Sequence, residues 1–118
     1  MHPRAPAALL AMPRLDDDGQ RIHLDLHGVD AARALGLTEA AIIEAARHGR
    51  NSLRIIHGAS TAERGAVRTI RGALRAAVES GAFDRHVTSH LFDDTSMLLG
   101  LAPSPQPARG RVRLADVW

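Results

Sequence analysis

Two apolar runs that each end in histidine and glycine constrain the fold of this chain more than any other feature. The first is Leu24-Asp25-Leu26-His27-Gly28, and the second, thirty residues further on, is Ile55-Ile56-His57-Gly58. The segment between them is long enough for a crossover helix, so we expect two adjacent parallel strands with a right-handed connection. Parallel strands end at the same edge of a sheet, where open α/β sheets keep their ligand sites. The sequence therefore predicts that both histidines emerge at one edge.

Hydrophobic periodicity predicts the element order βαβαββ and a four-stranded mixed sheet. Apolar and polar residues alternate over residues 21–27, which is typical of a strand with one covered face. A helix is predicted from an N-cap at Asp30 to about Arg47, and the second strand follows it. A second helix is indicated by a stripe of apolar residues, which are Val67, Ile70, Leu74, Ala77 and Val78. Residues 87–92 and 96–101, separated by Asp93-Asp94-Thr95, predict an antiparallel hairpin.

The remaining residues are predicted to flank a single domain of residues 21–101. Residues 1–20 contain three prolines and a run of aspartates without sustained periodicity, so we expect a mobile N-terminal arm. Residues 102–118 begin with three alternating prolines and are expected to form a Pro-rich linker and C-terminal tail. The alternation of Val112 and Leu114 indicates either an added edge strand or a docking tail.

The composition excludes several kinds of chemistry. The chain has no cysteine, which rules out disulfides, cysteine-bound zinc and thiol catalysis. All 15 basic residues are arginine, so a P-loop lysine and a Schiff-base lysine are also excluded. No apolar run reaches the roughly 18 residues that a membrane span requires. We therefore expect no membrane partner and a cytoplasmic location.

Asp25 and His27 are the strongest candidates for catalysis. They lie two residues apart and therefore share the strand face opposite the apolar one. A carboxylate beside an imidazole orients the ring and makes it a better general base, as cleavage of a phosphodiester requires. In the alternative interpretation Asp25 pairs with Arg54 on the neighbouring strand, and His27 only ends its strand. The spacing leaves both interpretations open.

The second run predicts a phosphate-binding loop with His57 at its start. Gly28 and Gly58 allow sharp turns and the close approach of a ligand. The loop after Gly58 leads into a helix N-terminus, where N–H groups and the helix dipole favour an anion. The side chains that could add hydrogen bonds there are Ser60, Thr61, Arg64 and Arg68. An ordinary helix entry capped by serine or threonine would explain the same residues.

A metal site is the third hypothesis for this edge, since its ligands could come from Asp25, His27, His57 and His90 if they converge in the folded chain. No two of them have the spacing of metal ligands on a helix. We therefore predict no metal site and no tightly bound cofactor. Mg²⁺ or Mn²⁺ that arrives with a phosphate substrate is the better hypothesis.

With these motifs the chain resembles the Smr domain, the small MutS-related domain found alone in bacteria and at the C-terminus of MutS2-type proteins. The first run matches the family's first motif in full, and Ile55-Ile56-His57-Gly58 matches the start of the second. Gly65-Ala66-Val67-Arg68 is similar to the family's Gly-x-Leu-Arg. The resemblance covers about residues 21–101. It implies an α/β two-layer sandwich, with two helices on one face, similar to the C-terminal domain of the third bacterial translation initiation factor.

The resemblance also implies a function. Smr domains bind nucleic acid and several cut DNA or RNA, so Asp25 and His27 would be needed for cleavage, and His57-Gly58 would contact the backbone. Two positions depart from the family pattern. Ala59-Ser60 replaces the usual continuation of His-Gly-x-Gly, and Asp93-Asp94-Thr95 replaces a glycine-rich loop. These departures remove a glycine and add negative charge near the expected phosphate.

The leading hypothesis is a nucleic-acid-binding Smr-like domain that acts as a metal-assisted endonuclease on DNA or RNA. Its nucleic-acid contacts are assigned to Gly28, Gly58, Ser60, Arg64 and Arg68, and its catalytic residues to Asp25, His27 and His57. One alternative is a non-catalytic module that binds nucleic acid or the ribosome. The other is a protein-interaction domain that uses the polar sheet face and the arginine-rich residues 109–113.

Overall fold

The structure is a computed structural model that describes residues 12–58 and 69–118 of the 118-residue chain. These residues form a mixed α/β domain with five strands and three helices. The elements in chain order are β1 (Arg14–Asp17), β2 (Arg21–Asp25), α1 (Ala31–Arg47), β3 (Ser52–Ile56), α2 (Ile70–Glu79), β4 (Val87–Phe92), β5 (Ser96–Leu101) and α3 (Leu114–Val117).

The sheet has the strand order β1-β2-β3-β5-β4. The strands β2 and β3 are adjacent and parallel, as the two apolar runs predict. The hairpin of β4 and β5 has the predicted bounds and is antiparallel, and β5 pairs antiparallel with β3. Leu26 continues the parallel ladder by donating its N–H to the Ile56 carbonyl at 2.7 Å. Both His-Gly motifs therefore follow strands that end at the same edge.

The helices α1 and α2 pack on one face of the sheet and leave the other face open. The α1 helix begins as predicted, because the Asp30 carboxylate accepts the backbone N–H of Arg33 at 3.1 Å. The predicted start of the second helix near Val67 lies outside the described residues, and α2 is capped by Thr69. Strand residues of the covered face that are fully buried in the core are Ile22, Leu24, Leu53, Ile55, Met97 and Leu99. Their neighbours His23, Asp25 and Arg54 point to the open face.

The predicted four strands and two helices are one strand and one helix too few. The added strand β1 lies within residues 1–20, which were expected to be an arm, and pairs antiparallel with β2. The added helix α3 lies within the tail, where Val112 and Val117 are buried. The layout βαβαββ is therefore incomplete at both ends. Among the described residues, no helix is long and apolar enough to cross a membrane.

A buried ion pair holds these two added elements to the domain. The Asp17 carboxylate at the end of β1 accepts hydrogen bonds from Arg50 Nε at 2.7 Å and Arg50 Nη2 at 2.8 Å. The backbone N–H of Val112 donates to the same carboxylate at 2.7 Å, and that of Gly19 at 2.9 Å. Arg50 Nη2 also donates to the Gly110 carbonyl at 3.0 Å. We call these five residues the Asp17 cluster, and they join β1, the turn after α1 and the C-terminal segment.

Candidate nucleic-acid site

The site predicted from the two apolar runs lies where β2 and β3 end. Gly28 and Gly58 both have positive φ, +81° and +84°, a conformation that side chains with a Cβ rarely adopt. Glycine at these two positions lets each chain leave the sheet directly after its histidine. The edge therefore carries the residues before the glycines, Asp25 and His27 on one strand and His57 on the other.

Asp25 and His27 form a hydrogen-bonded pair on the open face. Asp25 Oδ1 lies 2.6 Å from His27 Nδ1 and also accepts the backbone N–H of His27 at 3.2 Å. The Asp25 side chain is 20% exposed and that of His27 is 59% exposed. The carboxylate is therefore the inner member of the pair, and the imidazole is the member that solvent or a ligand can reach.

The electrostatics of Asp25 fix the orientation of the imidazole. Partial burial raises the pKa of Asp25, but the two hydrogen bonds from His27 and the charges of His27 and Arg14 outweigh it, so the net pKa is lowered. An ionised carboxylate can only accept hydrogen bonds, so His27 Nδ1 must be the donor. In the neutral ring the lone pair is then on Nε2. The arrangement presents an outward-facing nitrogen that can accept a proton.

Asp25 does not pair with Arg54, which was the alternative interpretation of the sequence. Arg54 Nη2 lies 3.9 Å from Asp93 Oδ2 in the hairpin turn, whereas the arginine near Asp25 is Arg14, with Nη2 3.7 Å from Asp25 Oδ2. Asp93 itself forms the turn, since its Oδ1 accepts the backbone N–H groups of Thr95 and Ser96 at 2.9 and 2.8 Å. Part of the acidic charge in this turn is therefore engaged in forming the hairpin.

The two His-Gly motifs meet through Gly58. A Cβ built on Gly58 would lie 3.2 Å from the Cβ of His27, so a side chain at residue 58 would require His27 to shift by a few tenths of an ångström. The backbone N–H groups of His57 and Gly58 both donate to the Thr95 carbonyl, at 2.9 and 3.1 Å. The hairpin turn thus supports the end of β3 and, through Gly58, the position of His27.

His57 is placed differently from His27. It is only 6% exposed, and its Nδ1 lies 2.7 Å from the carbonyl oxygen of Gly58. Side chains alternate along a strand, so His57 leaves the chain on the side opposite Ile56, which is the register partner of Asp25. The structure therefore brings Gly58 to the Asp25–His27 pair and places the His57 ring on the covered side. The catalytic assignment of His57 is not tested by these contacts, but burial of its ring favours a supporting position over proton transfer.

The residues of the predicted phosphate loop, Ser60, Thr61, Arg64 and Arg68, lie outside the described residues. Within residues 12–58 and 69–118, no three or more histidine or acidic side chains come close enough to hold a metal ion. The residue that the sequence did not indicate is Arg14. It lies in β1, a strand whose single leucine gives no periodic signal.

Replacing Gly58 with alanine is expected to lower the free energy of unfolding by about 1–2 kcal/mol, because it forces a Cβ into a left-handed conformation. It should also displace His27 through the 3.2 Å contact. Gly36→Ala is the matched control, since Gly36 lies inside α1 with no atom within 4 Å of its Cβ position. That control should gain about 0.5–1 kcal/mol. Urea unfolding measures both, and a shift of the same sign in both variants would contradict this explanation.

A mixed sheet with helices on one face and an aspartate–histidine pair at the end of β2 defines an α/β domain with an acid–base pair at its edge. The chain belongs to the Smr domain family, whose sequence model matches residues 24–91. This match contains the Asp25–His27 pair and Gly58, whereas β1 and α3 lie outside it. The Smr resemblance seen in the sequence is thereby confirmed.

The structure is also similar to the crystal structure of the Smr domain of MutS2 from Thermus thermophilus. The two share 30% sequence identity with a TM-score of 0.56, over 69% of this chain and 98% of that chain. A comparison with curated proteins gives no match. Almost the whole length of the MutS2 domain is therefore represented here, while about a third of this chain has no counterpart in it.

Proposed function

We propose that this Smr domain binds nucleic acid at the edge formed by Asp25, His27, Gly28 and Gly58, and that it hydrolyses a phosphodiester there. The single observation that supports the proposal is the 2.6 Å hydrogen bond between Asp25 and His27, whose ring is 59% exposed. Smr domains generally bind nucleic acid. A partly buried carboxylate that orients an accessible imidazole is an arrangement suited to general base catalysis.

In the proposed reaction, His27 Nε2 accepts a proton from an attacking water molecule, whose hydroxyl oxygen becomes the nucleophile. The hydroxyl oxygen forms a bond to phosphorus, and the bond from phosphorus to the leaving oxygen breaks. The leaving oxygen takes a proton from solvent or from the protonated imidazole. The Asp25 carboxylate stabilises the positive charge that His27 acquires.

The remaining predicted residues are assigned to binding. Gly28 and Gly58 would let a phosphate approach the backbone, and Ser60, Arg64 and Arg68 would contact it from the following loop. His57 would act by shaping the end of β3 rather than by proton transfer, because its ring is buried. Mg²⁺ or Mn²⁺ would enter with the substrate and neutralise phosphate charge, since magnesium sites commonly combine carboxylates with substrate phosphates.

Binding without cleavage is the second candidate function. The acidic turn of Asp93 and Asp94 lies next to the end of β3, because the Thr95 carbonyl accepts the N–H groups of His57 and Gly58. Negative charge in a turn next to the site opposes the build-up of charge on a transferring phosphate. A module that only binds would tolerate this charge better than a nuclease would.

The two functions are separated by incubating the purified protein with labelled single- and double-stranded RNA and DNA, with and without Mg²⁺ or Mn²⁺. A nuclease gives shortened products whose amount increases with protein and time. A binding module gives complexes that weaken as salt rises, because phosphate contacts release counterions, and no shortened products. Failure to bind any of the four substrates at low salt would contradict both functions.

A further inference from the structure

We infer that Arg14 of β1 is a phosphate-binding residue of the Asp25–His27 site. The inference rests on the proposed function and extends it, because β1 precedes the residues 24–91 that match the Smr family. The added strand would therefore supply a cation that this chain brings to the site from outside the family's own motifs.

The strand register places Arg14 at the site. Arg14 is the direct antiparallel partner of Asp25, so the two side chains project from the same, open face of the sheet. Arg14 Nη2 lies 3.7 Å from Asp25 Oδ2, while Asp25 Oδ1 is used by His27. The two oxygens of one carboxylate thus hold an arginine on one side and the candidate base on the other.

The exposure of Arg14 leaves it able to bind a ligand. Its side chain is 79% exposed, and a guanidinium has five N–H donors in a planar fork that matches a phosphate. A surface ion pair of this kind contributes at most about 1 kcal/mol to stability, so its guanidinium can turn to a phosphate at little cost. A phosphate bound by Arg14 would then lie near the Asp25 carboxylate that also holds His27.

Among the described residues, the other arginines of the open face, Arg21 and Arg54, are less exposed than Arg14 and contact groups other than Asp25. Arg54 Nη2 lies 3.9 Å from Asp93 Oδ2, and Arg21 Nε donates to Ser52 Oγ at 2.8 Å. Asp25 and the exposed Asp16 and Asp93 make this part of the face acidic. A cation offsets the repulsion between an acidic surface and a polyanion. Among the described residues, Arg14 is an exposed arginine that lies directly beside Asp25.

The test is the salt dependence of binding for Arg14→Gln, measured by fluorescence anisotropy with the labelled oligonucleotide that wild type binds best. The inference predicts about tenfold weaker binding at low salt and a salt slope smaller by about 1, the change expected for one lost phosphate contact. Arg14→Lys keeps the charge and should restore the slope. Urea unfolding of both variants should stay within about 1 kcal/mol of wild type.

Arg85→Gln is the matched control, because it removes the same charge from an exposed position at the other end of the sheet. Arg85 precedes Val87, which pairs with Leu101, whereas Ile56 at the site end pairs with Ser96. An Arg14→Gln slope equal to that of wild type or of Arg85→Gln would overturn the role of Arg14 while leaving the proposed function standing. Absence of salt-dependent binding by wild type would overturn both.

Discussion

Replacing Asp17 with asparagine is expected to lower the free energy of unfolding by about 3–5 kcal/mol, which is the usual effect of removing one partner of a buried ion pair. The Asp17 side chain is 1% exposed and that of Arg50 is 10% exposed, so the change leaves an uncompensated guanidinium inside the protein. The backbone N–H of Val112 also loses a charged acceptor at 2.7 Å. Urea unfolding followed by circular dichroism measures the loss.

Asp16→Asn is the control for this effect. Asp16 is the preceding residue of β1, but its side chain is exposed on the opposite face of the strand. A surface substitution of this kind usually changes stability by no more than about 0.5 kcal/mol. Equal unfolding curves for Asp17→Asn and Asp16→Asn would show that the Asp17 cluster does not hold β1 and the C-terminal segment to the domain.

The same cluster predicts how stability depends on pH. Burial raises the pKa of Asp17, but hydrogen bonds from Arg50, Val112 and Gly19, together with the charge of Arg50, lower it from 3.8 to about 2. A depressed pKa contributes stability that is complete above the unfolded-state value and is lost as pH falls. The stability gap between wild type and Asp17→Asn should be constant above about pH 4 and shrink by about 2 kcal/mol towards pH 2. A gap that widens on acidification would contradict the assignment.

Substituting His27 by alanine is expected to reduce cleavage roughly 100- to 10,000-fold, the usual contribution of a general base. Asp25→Ala should reduce cleavage as well, because the ring loses the 2.6 Å hydrogen bond that sets its tautomer. The substituted groups are accessible or half-buried, so both variants should remain folded. Single-turnover cleavage of a labelled substrate, with enzyme in excess, measures the rate without product release.

His23→Ala is the matched control for the loss of an imidazole. His23 lies on β2, two residues before Asp25 on the same open face, and its Nε2 is 3.8 Å from Asp18 Oδ2 rather than near Asp25. We expect this variant to cleave the substrate at a rate close to that of wild type. If His23→Ala and His27→Ala were equally slow, the effect would come from the charge or hydration of the sheet face rather than from a base at residue 27.

The central elements of the fold could be predicted because their signals are local. Alternation in β2 and the Asp30 cap of α1 specify structure within a few neighbouring residues. The strand β1 has one apolar residue and is held by its antiparallel pairing with β2 and by Asp17. The partners of Asp17, Arg50 and Val112, are 33 and 95 residues away in the chain. No periodicity reveals a contact of that kind. The four residues of α3 are likewise too few to show a helical stripe.

The residues of the candidate site also fall into two groups, those predictable from local spacing and those that depend on long-range strand pairing. The Asp25–His27 pair was predictable because two residues at strand spacing must share a face. Arg14 was not, because its position depends on the antiparallel register of a strand that the sequence did not indicate. The contact between Gly58 and His27 required the parallel pairing of β2 and β3 in three dimensions. Local patterns therefore identified the Asp25–His27 pair, and long-range strand pairing determines which residues surround it.

The most direct test of the account is to locate bound nucleic acid by NMR, using ¹⁵N-labelled protein titrated with an oligonucleotide. We expect the largest amide shift changes on Asp25, His27, Gly28 and Gly58. A groove at the opposite end of the sheet, lined by residues that include Ile43, Ala46, His86 and Ala102, serves as the comparison surface. Changes confined to that groove, with the amides of Asp25 and His27 unmoved, would contradict the assignment of the site.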